Sequence, residues 1–157
     1  MPSPALVSDC QPDFGSADGW SVRTATEQDI GPVLALWETA GAPPSVSDTR
    51  EGLSGLLATD REALLIAESG DALVGSLIAS WDGWRGSFYR LVVRPDRRRQ
   101  GLATALLREG ERRLRARGAV RLTAIVAHED PAAVAFWRAA GYDRQIERTR
   151  FIRPVEN

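Results

Sequence analysis

The chain has 157 residues, 43% of them hydrophobic and 26% charged, and its 20 basic residues stand against 21 acids. That is enough chain for one globular domain with a core of its own, and no stretch approaches the ~20 apolar residues of a membrane-spanning helix. Every basic residue is an arginine, and the absence of lysine excludes the GxxxxGK[ST] nucleotide loop.

Residues 1–19 are rich in Pro, Ser, Asp and Gly, with neither a basic start nor an apolar run. They read as a flexible tail and not as a secretory signal, so the folded domain is expected over 20–157. The tail holds Cys10, the only cysteine; no internal disulfide can form, and a reducing cytoplasm is the expected location. Ser21–Thr24 reads as a first strand. Thr26-Glu27-Gln28-Asp29 has the form of a capped helix start with acids in its first turn, and Ile30, Val33, Leu34 and Trp37 continue it as a helical stripe. After a turn at Gly41-Ala42-Pro43-Pro44, Ser47 is expected to cap a second helix containing Leu53, Leu56 and Leu57. Residues 63–68 and 73–81 read as strands joined by Ser69-Gly70-Asp71. Asp82-Gly83-Trp84-Arg85-Gly86 reads as a hairpin loop into a strand over 87–93. A helix over 100–117 follows, with Leu102, Leu106, Gly110 and Leu114 on one face. A strand over 120–127, a helix over 131–140 and closing strands near 142–153 complete the chain. This order predicts an α/β sandwich with a mixed sheet.

Charge is unevenly placed. Residues 1–83 carry three arginines against thirteen acids, and residues 84–121 carry twelve against three. A basic middle suits a polyanionic cofactor and an acidic first half suits a cationic acceptor. Many arginines of the 100–117 helix fall on its solvated face, so nucleic acid is not the expected partner.

The basic stretch contains the most specific local pattern. Leu91-Val92-Val93-Arg94-Pro95 ends a strand, Asp96-Arg97-Arg98-Arg99-Gln100-Gly101 makes a basic turn, and Leu102-Ala103-Thr104-Ala105-Leu106-Leu107 opens a helix. The first amides of a helix lack internal partners and its dipole is positive there. A residue without a side chain, Gly101, lets a phosphate approach that backbone, and Arg97, Arg98 and Arg99 add fixed charge. A dinucleotide fingerprint needs more glycines than this turn has. What fits is [Gln/Arg]-x-x-Gly-x-[Gly/Ala], present as Arg98-Arg99-Gln100-Gly101-Leu102-Ala103. Some thirty residues later, Asp130 is placed to cap a helix that begins at Pro131 and presents Val134, Phe136, Trp137 and Ala140 before Gly141-Tyr142.

With these two motifs in this order, the chain resembles the GNAT superfamily of acyl-CoA-dependent N-acyltransferases over roughly residues 20–153. The hairpin at Asp82-Gly83-Trp84-Arg85-Gly86, flanked by Ser80-Trp81 and Ser87-Phe88-Tyr89, resembles within it a small bacterial branch of acetyltransferases, the YpeA type. The resemblance implies a mostly antiparallel mixed sheet flanked by helices, acetyl-CoA as acyl donor without a metal, and transfer to a primary amine of a small molecule or peptide by direct attack. It also implies that Leu91, Val92 and Val93 orient the thioester carbonyl through a backbone amide. Arg98, Arg99, Gln100, Gly101, Leu102, Ala103 and Thr104 would then hold the pyrophosphate, with Asp130 and Trp137 contributing from the second motif.

The catalytic acid and base are not assigned by the resemblance. Many relatives place a tyrosine where this chain has Trp137, whose indole donates but is no useful acid; a thiolate of pKa about 8.5 can leave without one. Neither strand beside the loop carries a carboxylate, which leaves His128, Glu129, Tyr89, Asp130 and Asp82 as nearby candidates. A water chain ending on backbone carbonyls needs no dedicated base and is the default reading. Glu38, Asp48 and Glu51, near the turn between the first two helices, lie where the family admits its acceptor. The hairpin reads as a tight turn whose aromatics cover the sheet; as a rim loop it would contact the acceptor or a second subunit, which leaves a homodimer open. Trp137 and the missing carboxylates also keep a second function class open, a non-catalytic acyl-CoA-binding or regulatory domain.

Overall fold

In a computed structural model, which describes residues 19–127 and 129–155, Leu64, Leu65, Ile66 and Ala67 are all fully buried. A strand reaches that state only when both faces of its sheet are covered. The sheet has five strands: β1 (Ser21–Thr24), β2 (Leu64–Ser69), β3 (Ala72–Trp81), β4 (Gly86–Val93) and β5 (Leu122–Ala124). They lie side by side in chain order; the first four pair antiparallel, and β5 runs parallel to β4. This is the mixed sheet that the element order predicts, and mostly antiparallel as the resemblance implies.

Alternate residues of β2 serve two cores, as the period of a strand requires. Leu64 and Ile66 pack with Ile30, Val33, Leu36 and Trp37 of α1 (Ile30–Thr39) and with Leu53 and Leu57 of α2 (Arg50–Thr59). Leu65 and Ala67 join Leu77, Phe88, Leu102, Leu106, Leu114 and Trp137 on the opposite face. That face is covered by α3 (Leu102–Ala116) and α4 (Pro131–Ala139).

Local chemistry sets the helix ends. Asp29 accepts the Thr26 backbone N–H at 2.7 Å and closes a capping box ahead of α1, after a single 3-10 turn over Glu27–Asp29. Asp130 accepts the Ala133 N–H at 3.0 Å and starts α4, with Pro131 in the first turn. In α3, Gly110 allows close approach to the sheet: a Cβ there would lie 2.9 Å from Phe88 Cε1. Arginines fasten α3 to distant segments. Arg113 donates to Thr24 Oγ1 at 3.0 Å and pairs with the buried Glu109 at 2.7 Å, and Arg117 pairs with Asp60 at 2.6 Å.

Four expectations are corrected. Ser47 does not cap α2: Thr49 does, accepting the Gly52 N–H at 2.9 Å. Asp48 first turns back on the Ser45 N–H at 2.9 Å, and this extra turn delays the helix start to Arg50. The strand expected over 120–127 contracts to Leu122–Ala124, because β4 pairs with only those three residues. No closing strands form over 142–153 among the described residues. Ile146, Phe151 and Ile152 are 83%, 91% and 75% exposed; their pattern suits a strand, but a strand also needs a neighbour to pair with. The helix expected from 100 begins at Leu102, with Gly101 as its N-cap. The expected tail lies outside the described residues except for Gly19.

Candidate functional site

The site begins where the sheet comes apart. β5 accompanies β4 only from Gly86 to Phe88, so from Tyr89 to Val93 that edge of β4 has no strand beside it among the described residues. The same stretch is bulged. Ile78 of β3 faces Tyr89 while Ser76 faces Val92, so Leu77 stands opposite two residues, Arg90 and Leu91. A bulge of this kind bends the strand and leaves a backbone group outside the ladder. Phe88 and Leu91, three residues apart, consequently pack into the same core, and Val92 packs into the other.

β4 then runs into the basic turn. The Arg94 N–H donates to Val74 O at 2.8 Å, and a 3-10 turn, Pro95–Arg97, follows. Two residues in the left-handed region, Arg99 (φ 62°) and Gly101 (φ 83°), bring the chain round to α3. Successive turns of this sort point backbone N–H groups into a concavity suited to anions. Gly101 offers no side-chain cap, and a Cβ built on it would meet nothing within 4 Å. Space is therefore open directly over the positive end of the helix.

Charge also marks this turn. Arg112, Arg113 and Arg117 of the α3 segment are paired with Glu109, Asp60 or Glu62. Arg94 pairs with Asp96. Among the described residues Arg97, Arg98 and Arg99 make no ion pair. Three unneutralised guanidiniums thus surround the open helix end, and guanidinium forks match phosphate oxygens.

Two adjoining cavities lie beside them. One, of about 230 Å³, is lined by Val93, Arg97, Arg98, Arg99, Gly101, Leu102, Ala103, Thr104 and Phe136. The other, of about 280 Å³, continues along α3 and α4 past Thr104, Arg108, Glu111 and Phe136. Of the residues that the resemblance assigns to the donor, Val93, Arg98, Arg99, Gly101, Leu102, Ala103 and Thr104 line the first cavity together. Gln100 sits exposed in the turn between them, and Leu91 and Val92 lie on the open strand leading in. Asp130 is spent on capping α4. Trp137 lies in a cluster with Phe88, Phe136 and Tyr142, its ring 4.9 Å from that of Tyr142, and lines neither cavity. Phe136, the preceding residue, bridges both cavities. It was visible in the second motif, but only the helix phase shows that it and not Trp137 faces Thr104.

The titratable candidates are scattered. Tyr89 is 41% exposed on the bulged strand. Glu129 is exposed just before α4. His128 lies outside the described residues. Asp82 accepts the Trp84 and Arg85 N–H groups, at 2.8 and 2.6 Å, and these bonds hold its carboxyl below the usual range; it shapes the hairpin. Tyr142 donates to Glu111 at 2.7 Å, and burial with that bond drives its pKa upward, so it holds its proton. Asp48 is tied to Arg90, while Glu38 and Glu51 are exposed. Among the described residues no cluster of His, Cys, Asp or Glu could hold a metal, and no helix is long and apolar enough to cross a membrane.

Comparison with known proteins agrees with this geometry. The family model described as Acetyltransferase (GNAT) family matches residues 33–142. An acetyltransferase of Yersinia enterocolitica, YE1169, is 34% identical over 124 residues, covering 79% of this chain and 88% of that one. The crystal structure of Ard1 from Thermoplasma volcanium superposes with a TM-score of 0.71 at 18% identity, covering 78% and 82% of the two chains. Aminoglycoside N-acetyltransferase AAC(6')-Iy, in complex with CoA, superposes with a TM-score of 0.67 at 18% identity, covering 86% and 94%.

Proposed function

The chain belongs to the acetyltransferase (GNAT) family and is an acyltransferase, and from that premise we propose that it transfers the acetyl group of acetyl-CoA to a primary amine of a small molecule or peptide. The observation that carries the reading is the continuity of the open β4 edge, Tyr89–Val93, with an unneutralised triple-arginine turn at a helix N-terminus. A long substrate with an anionic pyrophosphate at one end and an acyl thioester at the other matches that sequence of surfaces. The solved structure of AAC(6')-Iy with CoA supports the choice of donor.

Each part of the chain has a defined task in this reading. The turn at Arg97, Arg98, Arg99 and Gly101, with the leading amides of α3, holds the pyrophosphate. The edge from Leu91 to Val93 offers backbone N–H to the thioester carbonyl, where one preorganised donor lowers the barrier by about 2.7–4 kcal/mol. A neutral amine attacks that carbonyl, the C–S bond breaks, and the thiolate leaves. The ammonium proton passes to water, and the thiolate takes one from water, since Tyr142 is engaged by Glu111 and Trp137 is no acid. Exposed Glu38 and Glu51 favour a cationic acceptor, and a reducing cytoplasm suits both thiol product and donor.

The test is thiol release from acetyl-CoA against a panel of polyamines, amino acids, aminoglycosides and N-terminal peptides, alongside calorimetric binding of CoA. Amine-dependent release is expected. Tight CoA binding with no release above background for any amine overturns the transfer reading.

A further inference from the structure

Arg90 is a non-glycine residue in β4 with φ of 53°, a conformation that L residues other than Gly, Asn and Asp rarely adopt. Such a conformation persists only where the surroundings over-determine it, and here they do. The Arg90 carbonyl accepts the Ser76 hydroxyl at 3.0 Å, and Ser76 Oγ in turn accepts the buried Trp37 indole N–H at 2.8 Å. The guanidinium is fixed independently. It engages both carboxylate oxygens of Asp48, donates to Pro43 O at 2.8 Å, and sits 5.2 Å from the centre of the Trp37 ring. Asp48 is itself oriented by the Ser45 N–H. Side chains of both members of the ion pair are only 18% and 17% exposed.

Arg90 is also one of the two residues that Leu77 faces, the point where the bulge shifts the strand. Everything downstream on β4, Leu91 to Val93, takes its orientation from that shift. We propose that Arg90, latched by Asp48, is a positioning residue that fixes the bulge and so aims the open Leu91–Val93 edge. The latch ties three parts together at one point: α1 through Trp37, the α1–α2 connection through Pro43 and Asp48, and the reacting edge of the sheet. It rests on the acyl-transfer reading above and adds to it the device that holds the edge.

Two variants separate side-chain latching from backbone shape. Asp48→Asn keeps size and removes the ionic partner; Arg90→Asn tolerates the left-handed backbone and removes the latch. Both are compared with wild type below their melting temperatures, by thiol release and by calorimetry with CoA. For both, kcat is expected to fall roughly 10- to 100-fold, the scale of misplacing a reacting group by about 1 Å, with CoA Kd within about twofold, since the phosphate turn is untouched. The exchanged pair, Asp48→Arg with Arg90→Asp, is expected to recover kcat relative to either replacement alone, a rescue that generic destabilisation does not produce. Wild-type activity with undiminished kcat in both Asn variants overturns the latch alone. A loss of CoA affinity parallel to the loss of kcat overturns it too, because the effect is then on folding or binding. Wild-type protein that neither binds CoA nor releases thiol overturns the acyl-transfer reading, and the latch with it.

Discussion

Gly101 is the position at which the anion site can be tested with least ambiguity. It caps α3 at φ 83°, is exposed, and has open space where a Cβ would point. Any L residue there meets the left-handed penalty of about 1–2 kcal/mol, so a single substitution confounds binding with strain. Gly101→Glu and Gly101→Gln share that penalty and nearly the same bulk, and differ by one charge. A carboxylate roughly 6 Å from one phosphate charge, at an effective dielectric of about 20, costs about 3 kcal/mol. That is roughly a hundredfold in Kd. Calorimetric titration with CoA is expected to show the Glu variant weaker than the Gln variant by about this factor in low salt. The gap is expected to shrink in 1 M salt, where the screening length falls to about 3 Å. Folded Glu and Gln variants with equal affinity for CoA would falsify the placement of the pyrophosphate over this helix end.

Other outcomes follow from the same structure. Trp137 is 9% exposed and lines neither cavity, so Trp137→Phe is expected to retain most turnover, while Trp137→Ala loses about 3–5 kcal/mol in a denaturant titration; a folded but inactive Phe variant contradicts this. Asp29, hydrogen-bonded by Arg23 and by the Thr26 backbone, falls from 3.8 to about 2. A carboxyl depressed on folding stabilises fully above its unfolded value, and the contribution disappears as pH drops from about 4 towards 2. Acid melts of Asp29→Asn are therefore expected to be less pH-dependent in that window than those of wild type. Asp48 is held by Arg90, so the proposed preference for a cationic acceptor rests on Glu38 and Glu51: neutralising both is expected to raise acceptor KM in low salt and leave it unchanged in high salt.

Much of this molecule was legible because its signals are local. The apolar runs of β2 and β3 with the turn between them, the Asp82 hairpin, and the capping residues Asp29 and Asp130 each act within a few positions. The turn at Arg98 to Thr104 was equally readable, since a strand end, a glycine and a helix start adjoin in the chain. What escaped depends on distance. The Asp48–Arg90 pair spans 42 residues, and nothing near either residue announces the other. Asp48 consequently read as a free acid facing the acceptor; the Ser47 cap failed for a local reason, the extra turn that Asp48 makes on the Ser45 N–H. Strand ends at 125–127 and over 142–153 were over-read for a related reason. Their apolar residues have strand-like spacing, but pairing is decided by whether a neighbour lies alongside. Trp137 and Phe136 show a finer limit: the motif identified the helix, and only its rotation decided which ring meets the cavity.

The strands stand in the sheet in the order in which they occur in the chain. Each can add to an edge already formed as the polypeptide emerges, and the two central closures, β2 to β3 and β3 to β4, are short, which favours early assembly of that part of the sheet. The ties from the α3 segment break that economy: Arg117 reaches back 57 residues to Asp60, and Arg113 reaches 89 residues to Thr24. Contacts of such span close long loops, so removing them is expected to leave the refolding rate nearly unchanged and to hasten unfolding, as stopped-flow measurement would show. These arginines act as a clasp on a finished structure, setting how long the native state lasts once it has formed.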